Sequence, residues 1–145
     1  MLLMLLVACT TEAPSDPVPE PVFVAEVPPR PTHELLLELE DPDLATAAVE
    51  GLIAREAVQE LEQVALQGED LGARGWAIHG LVSLQQGQQT LATVQHDEEN
   101  PELLRIWAAA GRIAMADRNT LEDLRPLARR WPELERPLTL REAQL

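Results

Sequence analysis

His79 and Ser83 stand four positions apart, one turn of a helix, which would set an imidazole base beside a hydroxyl nucleophile. Base-assisted attack by such a pair needs a third group to orient the base, and none is marked. Beyond residue 32 the chain has no Cys, Lys or Tyr, and Ser83 is its only serine. On a helix, both side chains would also project away from the apolar face of Ala73, Ala77 and Leu81. His33, His79 and His96 lie too far apart in sequence for metal-ligand spacing. Asp41-Pro42-Asp43 and Asp97-Glu98-Glu99 gather carboxylates, yet neither has the glycine turn and alternating ligands of a calcium loop. Helix capping and solvation account for both clusters. These residues therefore predict no catalytic, cofactor-binding or metal-binding site, and a protein that is not an enzyme.

The remaining chemical group is the guanidinium. All 11 basic residues are arginines, and they gather late in the chain. Arg112, Arg118, Arg125, Arg129 and Arg130 are the candidate partner-binding set, with Arg136 and Arg141 beyond them; this half could dock an acidic partner. The alternative is a solvated helix face balanced by Glu122, Asp123, Glu133 and Glu135. Charge is uneven: residues 1–70 carry a net −13 and residues 71–145 a net −1, within a total of −14. Such a chain is repelled by nucleic acid and by anionic lipid headgroups, so nucleic acid is excluded as a partner.

The elements that position these side chains are read from a repeat. Arg74-Gly75-Trp76-Ala77-Ile78-His79-Gly80 and Arg105-Ile106-Trp107-Ala108-Ala109-Ala110-Gly111 share Arg-x-Trp-Ala-x-x-Gly, 31 positions apart. A weaker copy, Ala45-Thr46-Ala47-Ala48-Val49-Glu50-Gly51, lies 29 positions before Arg74 and keeps only Ala and Gly. Helix-start signals recur at Asp41-Pro42-Asp43, Asp70 and Asn100-Pro101-Glu102. Asp70 to Asn100 spans 30 positions where the motif spans 31, which one extra loop residue reconciles. In the central copy, Ala73, Ala77, Leu81 and Leu84 form one face, with Trp76 on one flank and Ile78 and Val82 on the other. A helix apolar on three sides must be covered on three sides, as an inner unit of a solenoid is. Gly80 and Gly111 each cost about 1 kcal/mol relative to alanine, which is understandable where another helix passes close by. The expected repeat core is Trp76, Ala77, Gly80 and Leu81 with Trp107, Ala108 and Gly111. An ordinary helical bundle is the alternative.

Over residues 33 to 136 the chain resembles the HEAT-like repeats of bacterial α-solenoid proteins. The resemblance rests on Asp41-Pro42-Asp43-Leu44 with Ala47-Ala48 and Leu52, on Ala73-Arg74 with Ala77 and Leu81, and on Asn100-Pro101-Glu102-Leu103-Leu104-Arg105 with Ala108-Ala109. The first copy lacks the arginine and the second the proline. The resemblance implies an all-α fold, a short HEAT-like α-solenoid of about three helix pairs, and carries no implied activity.

The first eight residues are wholly apolar and end at Cys9, the only cysteine. Leu6-Val7-Ala8-Cys9 resembles a bacterial lipobox, which implies lipidation of Cys9, and Thr10 beside it implies outer-membrane sorting. The stretch is too short to span a bilayer. No Lys or Arg precedes Cys9; on the lipoprotein reading the basic n-region lies upstream of Met1. The alternative is an apolar N-terminus with a buried or free thiol. Residues 10–31 hold seven of the 12 prolines and predict a disordered, extended spacer on the order of 60 Å long. Within it, Pro21-Val22-Phe23-Val24-Ala25-Glu26-Val27 reads either as a docking peptide or as an incidental apolar patch.

The predicted organisation is thus a lipobox-like segment over 1–9, a Pro-rich linker over 10–31 and a helical domain over 32–145. Within that domain Thr32 is a candidate cap for a short first helix. Helix pairs are expected at 44–55 and 57–67, 72–86 and 88–96, and 102–116 and 120–131, with Thr120-Leu121-Glu122-Asp123 as a capping box. The function expected is a protein-protein interaction scaffold or adaptor, lipid-anchored through Cys9 in the bacterial envelope and facing the periplasm. The alternatives are an acidic immunity-type inhibitor of a toxin and, more distantly, a HEAT-like lyase.

Overall fold

Described in a computed structural model, residues 29–145 fold into helices only. Cys9, the segment 1–9, the linker through residue 28 and the 21–27 stretch lie outside the described residues. The elements are α1 Thr32–Glu38, α2 Ala45–Ala54, α3 Val58–Gln67, α4 Leu71–Ser83, α5 Gln88–His96, α6 Glu102–Met115, α7 Arg118–Leu124, α8 Leu127–Arg130 and α9 Glu135–Glu142, with a 3₁₀ turn at Pro132–Leu134.

Helices α2, α4 and α6 pack side by side as one layer, and α3 and α5 form the second, the arrangement of a short solenoid. Extensive packing does not run within the predicted pairs. Instead α1 packs on α2, α3 on α4 and α5 on α6. The glycines explain this. A Cβ at Gly51 would lie 3.0 Å from Leu35 of α1, one at Gly80 would lie 2.9 Å from Leu61 of α3, and one at Gly111 would lie 3.0 Å from Leu91 of α5. Each first-layer helix therefore offers a bare patch of backbone to a leucine of the helix before it. The weak third copy, ending at Gly51, plays the same part as the two strong ones.

The arginines of the motif are equivalent too. Arg74 donates from Nε to the Ala65 carbonyl at 2.9 Å, and Arg105 donates from Nε to the Gln95 carbonyl at 3.0 Å. Both acceptors sit in the last turn of a second-layer helix, where carbonyls lack helical partners. The one-residue mismatch in register lies between α5 and α6: α3 to α5 starts 30 positions apart, α4 to α6 starts 31 apart.

Helix ends differ from expectation at several points. Asp70 caps α4 as predicted, its Oδ1 accepting from the Ala73 N–H at 2.7 Å. Thr32 makes no capping bond; its hydroxyl accepts from Arg55 at 3.2 Å. Asn100 bridges rather than caps, accepting from Arg74 at 2.9 Å and donating to the Val94 carbonyl at 3.1 Å. The predicted helix 120–131 starts earlier and is broken: Asp117 caps α7 through the Thr120 N–H at 2.8 Å, and the turn at Arg125-Pro126 separates α7 from α8. Pro126 has no N–H to continue the ladder from α7. The sharp turns after α2 and α4 place Glu56 at φ 53° and Gln85 at φ 55°, left-handed positions where glycine is usual.

The core runs as one apolar cluster through α1–α6, including Leu35, Leu39, Leu52, Leu61, Leu81, Leu91 and Leu104. A second cluster covers the far face of α6, where Ala109, Ile113 and Ala116 meet Leu121, Leu124, Trp131, Leu134 and Leu138. Pro31 and Arg30 already belong to the folded part: the Arg30 carbonyl accepts from Arg55, and its guanidinium pairs with Glu38.

Candidate functional site

Trp107 lies against α4 because residue 75 is glycine. A Cβ on Gly75 would stand 2.6 Å from the indole Cζ3 and 2.9 Å from Cε3. The ring fills that space on one side and stays half-exposed on the other. Trp76 is also half-buried, with the exposed His79 ring meeting it edge-on, centroids 5.9 Å apart at 89°. Together with Gly72, Ile78, Val82, Ala110, Gly111 and Ala114 these side chains line an open apolar groove of about 500 Å³ between α4 and α6.

The expected repeat-core residues divide accordingly. Ala77, Gly80, Leu81, Ala108 and Gly111 are buried, while Trp76 and Trp107 are not sealed inside the core but form the groove's aromatic wall. Of the three tryptophans only Trp131 is buried, with Nε1 donating to Glu102 at 2.9 Å and the guanidiniums of Arg105 and Arg130 at 5.5 and 4.9 Å from its ring centroid.

The candidate arginines differ in what they touch. Arg112 turns inward and donates from Nη1 to Gln95 Oε1 at 2.6 Å, while its Nε is buried without a hydrogen-bond partner among the described residues. Burial lowers the Arg112 pKa by disfavouring the charge. Arg118 donates to the Leu145 carbonyl at 3.0 Å, and Arg125 pairs with Glu142 at 2.8 Å and Glu122 at 3.4 Å. Arg129 and Arg130 are exposed, Arg130 over Trp131. Arg112 alone of the five turns inward; Arg118 and Arg125 make bonds within the C-terminal cap and, like Arg129 and Arg130, stay exposed.

His79 and Ser83 are both exposed, and the Ser83 hydroxyl donates to the His79 backbone carbonyl at 3.0 Å. Asp41 and Asp97 bend their own turns, accepting from the Asp43 and Glu99 N–H groups at 2.9 and 3.0 Å. Among the described residues no group of three or more His, Cys, Asp or Glu is arranged to hold a metal ion, and no helix is long and apolar enough to cross a membrane. Sequence reasoning missed the groove's floor. The available signal was Gly72 and Gly75 on the helical stripe of Trp76 and His79, small residues beside an aromatic one.

No family model, curated protein or solved structure matches this chain.

Proposed function

We propose that this protein is a non-catalytic interaction scaffold whose working surface is the groove between α4 and α6. The observation that carries the reading is the pair of half-buried tryptophans set over glycine and alanine, an open apolar surface between two helices of the first layer. Tryptophan side chains in such pockets are the usual anchors of protein interfaces. The HEAT-like character of the repeats agrees with this reading, since stacked helix pairs offer extended faces to protein partners. Lipidation of Cys9 would tether that face to the bacterial envelope, at the outer membrane on its periplasmic side, and the Pro-rich segment would hold it away from the bilayer.

A photo-crosslinking residue placed at the exposed position 114, followed by mass spectrometry from the native cell envelope, tests the groove directly. One dominant envelope protein, lost when Trp76→Ala is combined with the crosslinker, is expected. A secreted toxin as the crosslinked species would instead make the protein an immunity-type inhibitor. Fatty-acid labelling that survives Cys9→Ser would remove the tether from the proposal.

A further inference from the structure

The two loops that precede α4 and α6, at the N-terminal end of the groove, are acidic. Glu69 and Asp70 immediately precede α4, and Asp97, Glu98 and Glu99 lie just before α6. The loops are held together: Arg74 reaches the Leu66 carbonyl on one side at 3.3 Å and Asn100 on the other at 2.9 Å. Desolvation lowers the Arg74 pKa while Asp97 pulls it back up, so that carboxylate lies within electrostatic range of the guanidinium. Arg74 is spent on these internal bonds. Five acidic residues thus lie in the two loops that precede α4 and α6, Asp70 capping α4 and Asp97 bending its own turn.

The apolar surface runs up to that end. Leu103, 47% exposed in the first turn of α6, stands four residues before Trp107, and Ala110 and Ala114 continue its stripe. On α4, Leu71 and Gly72 open the opposite wall. No carboxylate lines the groove itself, and past its other end the loop residues 84–87 and 116–117 include one acidic residue, Asp117. The groove is thus apolar and aromatic along its length, with acidic loops beyond its N-terminal end.

Resting on the scaffold reading above, we infer that the groove binds a protein segment with apolar anchors and a cluster of lysine or arginine at one end, held so that the cations lie over residues 69–70 and 97–99. The apolar anchors supply affinity and the carboxylates fix direction and exclude acidic competitors.

The test uses the full chain, isotope-labelled, and synthetic helical peptides of about 18 residues, long enough to form several turns. Each peptide has a Leu/Ala stripe and no tryptophan; one pair has a Lys block at either end, and a matched pair has Glu. The three indole N–H signals report binding, with buried Trp131 as the internal reference. Trp76 and Trp107 are expected to shift with the Lys peptides, which bind about tenfold tighter than the Glu peptides at low salt, a margin that shrinks as exposed charges are screened. Glu69→Gln, Glu98→Gln and Glu99→Gln together, all exposed and none capping a helix, remove that preference. Ala114→Glu, exposed within the groove, blocks both peptides.

Equal binding of Lys and Glu peptides, blocked by Ala114→Glu, would overturn the charge selection and leave the groove as a docking site. Shifts of neither indole with any peptide would remove the groove itself from function. Shifts that depend on protein concentration alone, with a dimer in sedimentation, would assign the groove to a second copy and overturn the inference.

Discussion

Arg74 and Arg105 show why the repeat keeps an arginine ahead of its tryptophan: each closes the open end of the helix packed behind it. Hydrogen bonds from a charged donor are worth about 1.5–3 kcal/mol. Arg105→Ala, which also strips a cation from the Trp131 ring, is expected to lower unfolding free energy by about 2–3 kcal/mol in urea titration. Arg105→Lys should recover less than half, because an ammonium lacks the planar fork. At Gly75 the balance is different. Alanine there gains about 1 kcal/mol of helix propensity but overlaps the Trp107 ring, and overpacking costs about 1–3 kcal/mol. Gly75→Ala should leave the fold helical, cost on the order of 1 kcal/mol and move the Trp107 indole resonance, while Trp131 stays unchanged.

Single helices start and stop by local rules whose effects can be measured separately. Glu56 and Gln85 occupy left-handed positions that disfavour a Cβ. Glu56→Gly and Gln85→Gly should each raise stability by about 0.5–1 kcal/mol, less than the full strain because glycine also loosens the unfolded chain. Asp117 is held below the usual carboxylate range, first by the Thr120 backbone N–H and then by the Thr120 side chain, with desolvation opposing them and the Asn119 N–H adding least. A folded pKa below the unfolded one gives stability that is complete above the ordinary aspartate range and is lost as pH falls through the lowered value. Asp117→Asn should therefore flatten the acid side of the stability curve, read by urea titrations between about pH 6 and about pH 2.

At the scale of the whole molecule, the last turn of the solenoid is closed by an irregular cap and not by another helix pair. Trp131, Leu134 and Leu138 cover Ala109 and Ile113 on α6, and Arg141 ties α9 back to the Ala116 carbonyl at 2.8 Å. Burying each such leucine or isoleucine contributes about 1.5–3 kcal/mol. Ending the chain at Ala116 would uncover this face, and a solenoid end needs a cover. That truncation should melt broadly by circular dichroism and associate in size-exclusion chromatography, where the full chain unfolds in one sharp step.

The sequence alone determined the helical class, the copies of the motif and the burial of Ala77, Gly80, Leu81, Ala108 and Gly111 within them, because a 3.6-residue apolar period and a repeated glycine are local facts written into neighbouring positions. The capping role of Asp70 was legible for the same reason, since its partner is three residues away. Which helices pair was not legible. It depends on Leu35, Leu61 and Leu91 reaching glycines 16 to 20 positions further on, and backbone patterning cannot say which bare patch receives which side chain. The bonds of the arginines were not legible either, because the carbonyls and carboxylates that Arg112, Arg118 and Arg125 reach lie 17 to 27 positions away along the chain. The groove likewise exists only in three dimensions: Trp107 and Gly75 are 32 positions apart, and only the packing of α6 on α4 brings the ring onto the bare backbone and leaves the aromatic wall open.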